Sequence, residues 1–184
     1  MQLHEYEYAD YLSLEHHSEV KHEFVDGEIY AMTGGTPRHA RLTMRVGRFL
    51  DAQLDGGPCR AYSSDLRVRA VASNVTTYPA MSGVCGEPEL DPDDAHGHGV
   101  INPTVVVEVT SPSTERYDRG RKLAFYESID SVRAVVLVSH REPSIEVHAR
   151  KDDGTWTTTQ AGPGQTAEIE AIGCQLVVDD VYAP

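Results

Sequence analysis

The stretch Pro103-Thr104-Val105-Val106-Val107-Glu108-Val109-Thr110-Ser111-Pro112-Ser113-Thr114-Glu115-Arg116-Tyr117-Asp118-Arg119-Gly120-Arg121-Lys122-Leu123-Ala124-Phe125-Tyr126 decides the architecture. Residues 105–109 are β-branched except for Glu108, the pattern of a strand buried on both faces in the middle of a sheet. A carboxylate there is costly unless a partner pairs with it or a cation binds it. Pro112 breaks the strand, and Ser113 or Thr114 offers a helix N-cap. In the helix that follows, Asp118 and Lys122 stand at i and i+4 and so share a face. Two readings fit this unit. Glu108 and Lys122 can form a metal-assisted site, with the acid holding a cation and the ammonium nearby. They can equally form a structural contact, Glu108 to Lys122 or Glu108 to backbone.

Working outward, 184 residues suit a single domain, 1–184, with a full core. No apolar run reaches the length of a membrane span, and Met1-Gln2-Leu3-His4-Glu5 lacks a signal peptide's basic and apolar regions. A cytoplasmic protein is expected. Cys59, Cys85 and Cys174 are odd in number, widely spaced and in no CxxC pattern, so they read as reduced, mostly buried small residues. The net charge of −13 argues against tight nonspecific nucleic-acid binding. Arg38, Arg41, Arg45 and Arg48 nevertheless recur at helical spacing, with Arg60, Arg67 and Arg69 soon after, whereas residues 87–94 form an acidic loop. The arginine stripe could guide a phosphate backbone or be a solvated face with internal partners.

Residues 6–14 predict a short amphipathic helix that frays over 15–18, and residues 21–32 predict a hairpin around Asp26-Gly27. Thr36 and Pro37 open a helix as N-cap and first residue, with Leu42, Val46, Phe49 and Leu50 on its apolar side. Gly56-Gly57-Pro58 stops it. Residues 59–71 and 76–85 each read as one strand, 87–102 as a polar loop, and 134–139 as a buried strand. A meander follows over 144–150 and 155–160, and a last strand over 175–178 closes the domain. The expected fold is α/β: a mixed central sheet flanked by helices, with a C-terminal β-meander.

Several segments in order carry a resemblance across nearly the whole chain: Glu23-Phe24-Val25-Asp26-Gly27-Glu28-Ile29, Pro37-Arg38-His39, Ser64-Asp65-Leu66-Arg67-Val68, Tyr78-Pro79, Val107-Glu108-Val109 with Ser111-Pro112-Ser113-Thr114, and then Asp118 and Lys122. The chain resembles the Uma-two family of restriction-endonuclease-like proteins, within the PD-(D/E)XK nuclease superfamily. That resemblance implies a restriction-endonuclease-like fold and Mg²⁺- (or Mn²⁺-) dependent hydrolysis of DNA phosphodiesters. It also implies a possible homodimer, in which two sites face two strands. Hard oxygen ligands suit Mg²⁺, which lowers the pKa of a bound water, and a lysine can stabilise charge on the phosphate. Carried over, Glu108 is the second acid and metal ligand, Lys122 the charge-stabilising or water-positioning base, and Glu23 a supporting acid.

The first acid is missing. The family usually has Tyr-Pro-Asp where this chain has Tyr78-Pro79-Ala80, and alanine can neither ligate a cation nor accept a proton. Impaired nuclease chemistry is therefore expected. The alternative is a catalytically silent nuclease-fold module that binds DNA or a protein partner. Asp65 could substitute for the missing acid or merely cap a turn, and His39 could flank the pocket or sit as a neutral imidazole at a helix start. His96-Gly97-His98 with Asp93 or Asp94 invites zinc, although two histidines in a Gly-flanked loop are more often adventitious ligands. His16-His17 and His22 show no ligand-like organisation. No G-x-S-x-G elbow, P-loop or G-x-G-x-x-G occurs, and Trp156 reads as packing.

Overall fold

The computed structural model describes residues 5–112 and 114–184. The chain is a mixed α/β fold. Helix α1 (Tyr8–His17) precedes the hairpin β1 (His22–Val25) and β2 (Glu28–Ala31). The hairpin turns at Asp26 and Gly27, both at positive φ as a tight two-residue turn requires. Helix α2 (Pro37–Leu54) starts where Thr36 Oγ1 accepts from the His39 amide, and it buries Leu42, Val46, Leu50 and Leu54. Then come β3 (Cys59–Ser63), β4 (Arg67–Ala70), β5 (Val75–Thr77), β6 (Met81–Cys85), β7 (Gly99–Val100) and β8 (Val105–Val109). A helical segment follows: α3 (Glu115–Tyr117), a π-helical turn (Asp118–Lys122) and α4 (Leu123–Glu127). The chain ends with β9 (Ala134–Val138), β10 (Ile145–Arg150), β11 (Trp156–Ala161), β12 (Thr166–Ile169), β13 (Cys174–Val177) and α5 (Val178–Tyr182).

The strands form a six-stranded sheet, β11-β10-β9-β8-β6-β3, a five-stranded sheet, β2-β1-β5-β4-β7, and a β12-β13 ribbon. β8 and β9 are parallel and joined through the α3–α4 segment, the βαβ unit that a buried hydrophobic strand favours. All five residues of β8 are buried. The side chains of Val105, Val107 and Val109 face a core shared with α2 and the C-terminal elements, whereas Val106 faces a second core that includes Tyr126 and Leu137. The two-residue period of a strand puts Glu108 on the Val106 side, toward the α3–α4 segment.

Several expectations are corrected. The stretches 59–71 and 76–85 are each two strands, divided between the two large sheets. In the first, Ser63 accepts from the Leu66 amide and reverses the chain; in the second, Tyr78-Pro79-Ala80 carries the chain from one sheet to the other. The expected mixed central sheet is the six-stranded one, and a second, five-stranded sheet accompanies it, with Ala80 on the crossing between β5 and β6. The loop 87–102 contains β7, which pairs parallel to β4. α1 stays helical to His17 instead of fraying at Glu15, and β12, too short to announce itself, pairs with β13 before α5 ends the chain. Cys59 and Cys85 are not reduced: they stand directly opposite on β3 and β6 and form a disulfide, leaving Cys174 buried and free. Of the two proposed N-caps, Ser113 lies outside the described residues. Thr114 precedes α3 without a side-chain cap, and its hydroxyl donates to Asp118 Oδ2 instead (2.6 Å). The arginine stripe does have internal partners: Arg45 donates to the Asp180 carbonyl (2.6 Å) and Arg41 to that of Ala183 (3.5 Å).

Candidate active site

At the junction of the two large sheets, three charged side chains converge from three elements. Glu108 comes from β8, Glu23 from β1, and Lys122 from the end of the π-helical turn. The Lys122 ammonium lies 2.9 Å from Glu108 Oε1 and 2.8 Å from Glu23 Oε1, with its side chain only 7% exposed. π-Helical turns recur at functional sites, and this one packs Asp118 and Lys122 into the interior together. Tyr126 Oη donates to the same Glu108 oxygen (2.5 Å) and pairs with Thr77 Oγ1 (2.9 Å). Glu108 Oε1 therefore meets two donors, while Oε2 meets the Ala80 amide alone among the described residues, at a long 3.4 Å. The Tyr78 amide reaches Glu23 Oε1 at the same length. The Tyr78-Pro79-Ala80 crossing thus presents backbone donors to both carboxylates.

The electrostatics follow from burial and from this pairing. Burial works to lower the Lys122 pKa, but Glu108, Tyr126 and Glu23 together hold it well above the ordinary range. Lys122 is an ammonium here; it can stabilise negative charge but has no lone pair with which to accept a proton. Burial and Glu108 keep the Tyr126 phenol protonated. Burial also pushes the Asp118 carboxyl up, against the Thr114 hydroxyl, Lys122 and His39. Burial and the Glu23 charge push the Tyr117 phenol up to about 12, and its buried hydroxyl has no hydrogen-bond partner among the described residues.

Of the two readings of the Glu108–Lys122 pair, the structure contains the ion pair itself, 2.9 Å between Nζ and Oε1. Glu23, Glu108, Lys122 and Asp118 come together. His39 lies at the margin, its Nε2 donating to the Val109 carbonyl (2.9 Å). Asp65 is elsewhere: its side chain is 85% exposed and pairs with Lys21 (2.6 Å). Tyr126 and Thr77 were not singled out from the sequence. The available signal was that Tyr126 follows Lys122 by one helical turn, the spacing at which two side chains can reach one carboxylate.

A resident Mg²⁺ does not fit the residues present. Ala80 has no ligating side-chain atom, Glu108 Oε1 and Glu23 Oε1 are both paired with Lys122, and no group of three or more His, Cys, Asp or Glu side chains among the described residues could hold a metal. Around the His96–His98 loop, too, no group of three or more such side chains among the described residues is placed to hold a metal.

The fold is that of restriction-endonuclease-like proteins. A crystal structure from Anabaena variabilis, described as a putative nuclease belonging to DUF820, superimposes with a TM-score of 0.72 over 90% of this chain and 92% of that one, at 14% identity. The chain belongs to the Uma2 family, described as "Putative restriction endonuclease", whose model matches residues 8–179. Among its relatives are two uncharacterized Synechocystis proteins. One, slr1290, is 36% identical and aligns over 94% of this chain and 89% of its own length. The other, sll1609, is 30% identical over 88% and 90%. Among the described residues, no helix is long and apolar enough to cross a membrane.

Proposed function

We propose that this chain is a DNA endonuclease of the PD-(D/E)XK type, impaired at residue 80. The observation that carries the reading is the convergence of Glu23, Glu108 and Lys122 against the Tyr78-Pro79-Ala80 crossing. A carboxylate from β8, a second acid and a buried ammonium are the groups that metal-assisted phosphodiester hydrolysis needs, less one acid. In this account Lys122 would stabilise charge on the phosphate and Glu23 holds Lys122 in place, while Glu108 Oε2 would serve as a cation ligand only beside a second acid, which Ala80 does not supply. The site's surroundings suit a phosphate backbone despite the negative net charge. His140, whose Nδ1 lies 3.1 Å from Thr110 Oγ1, is partly buried and under the field of Arg141, Arg38 and His39, with Glu115 opposing. Arg38 and Arg141 are the fixed positive charges acting on this position, and Arg141 is paired with Glu115 (2.8 Å).

A silent binding module is the second reading, favoured by Ala80 and by the Lys122 ammonium between the two acids. Incubation with supercoiled plasmid in Mg²⁺ and in Mn²⁺ tests the impairment. Nicking at or near the detection limit is expected. Efficient Mg²⁺-dependent nicking, lost in a Lys122→Ala variant that stays folded, would show that residue 80 impairs nothing.

A further inference from the structure

Away from this site, four imidazoles stand in a row between α1 and the loop 91–98. His16 stacks face to face on His96, with ring centres 3.8 Å apart and planes 3° from parallel. His17 meets His16 edge-on at 4.9 Å, and His98 lies 5.9 Å from His96. The loop is built to hold its histidines there. Asp94 Oδ1 accepts from the His96 amide (3.1 Å). Its Oδ2 accepts from the His98 amide (2.8 Å) and from Arg67 Nη2 (2.6 Å). The Gly97 amide donates to the Asp94 carbonyl (3.0 Å), with Gly97 at a positive φ that suits glycine. The row borders a cleft of about 230 Å³ lined also by Leu12, Ser13, Asp93 and Ala95.

We propose that the His16–His96 stack is a pH-operated latch, tying the loop 91–98 to α1 while both rings are neutral and releasing it when both are protonated. Two neutral imidazoles stack favourably. Two imidazolium ions at this separation repel, and histidine is the side chain that changes charge between about pH 5 and 8. The groups facing His16 are His96, His17, His98 and the carboxylate of Asp94, with Asp93 on the cleft wall. His96 and then burial, His17 and His98 lower the His16 pKa, and Asp94 opposes them weakly. The C-terminal end of α1 also favours a charged ring, so the stack works against the helix dipole. Asp94 itself does not switch. Burial would raise its pKa, but Arg67 and the His96 and His98 amides hold it below the usual carboxylate range. Glu15, on the same helix, is turned away to His22 and Tyr78. Because the folded pKa of His16 is depressed, the stack's contribution is complete above the unfolded value. It is lost as pH falls through the folded one.

Amide hydrogen exchange on the intact protein in EDTA tests the latch, with rates corrected for their intrinsic pH dependence. Between about pH 7.5 and about pH 5.5, protection of the His96, Gly97 and His98 amides should fall about threefold or more. In His16→Gln and His96→Gln that fall should vanish, and NMR titration of His96→Gln should show the His16 midpoint moving up. An unchanged fall in both variants, or none in the parent, would overturn the proposal.

Discussion

Replacing Lys122 with methionine keeps most of the side-chain volume and removes the charge, which isolates the electrostatic role of the ammonium. The structure then leaves Glu108 and Glu23, with side chains only 8% and 12% exposed, without the cation they share. Breaking a buried pair by deleting one partner costs about 3–5 kcal/mol, mostly the penalty of the charge left behind. For a chain of this size that is a fall in Tm of about 6–20 °C. The pH dependence gives the effect its signature. In the parent, the folded Lys122 pKa lies above its unfolded value, so its contribution is complete below the unfolded pKa and fades only as pH rises through the folded one. In Lys122→Met, the stranded carboxylates can relieve themselves by taking up a proton, so the variant regains stability as the pH falls toward about 5. Urea unfolding at about pH 7.5 and about pH 5 reads both effects. A loss under about 1 kcal/mol at the higher pH, or the same loss at both, would refute the reasoning.

Tyr126→Phe removes the hydroxyl that Glu108 and Thr77 share, so it should cost about 1–3 kcal/mol in the same urea assay. A cost within noise would mean that Glu108 does not depend on this donor. Reducing Cys59–Cys85, which closes a loop of sequence separation 26, should lower stability by about 2–4 kcal/mol in unfolding curves with and without dithiothreitol. Overlapping curves would remove the disulfide from the account of the β3–β6 edge.

The central strand, its buried acid and the following lysine were legible because each rests on local pattern: a β-branched run, a lone carboxylate and a Pro-terminated strand. The hairpin at Asp26-Gly27 and the Thr36-Pro37 helix start were legible for the same reason. Division of the strands between two sheets was not, since alternation marks a strand without saying which sheet it joins. That division brings Glu23 to Lys122, a pairing the spacing of the residues does not encode. The Cys59–Cys85 pair depends on the register of β3 against β6, and so lies equally beyond spacing arguments. Tyr126 went unassigned because an aromatic on a helix's buried stripe reads as core, which it also is. Asp65 drew notice as an acid near a strand. Its turn faces outward, and Lys21 holds it there.

Residue 80 is where the proposed function is most directly testable. Ala80→Asp, built in the parent and beside an Ala80→Asp/Lys122→Ala double variant, should be assayed for nicking of supercoiled plasmid in Mn²⁺ and in Mg²⁺. The backbone amide of residue 80 lies 3.4 Å from Glu108 Oε2, so a carboxylate built there starts from the immediate neighbourhood of that oxygen. The account predicts metal-dependent nicking by Ala80→Asp well above the parent, abolished in the double variant. A folded Ala80→Asp protein that nicks no more than the parent in either metal would contradict it and leave the fold to a binding role.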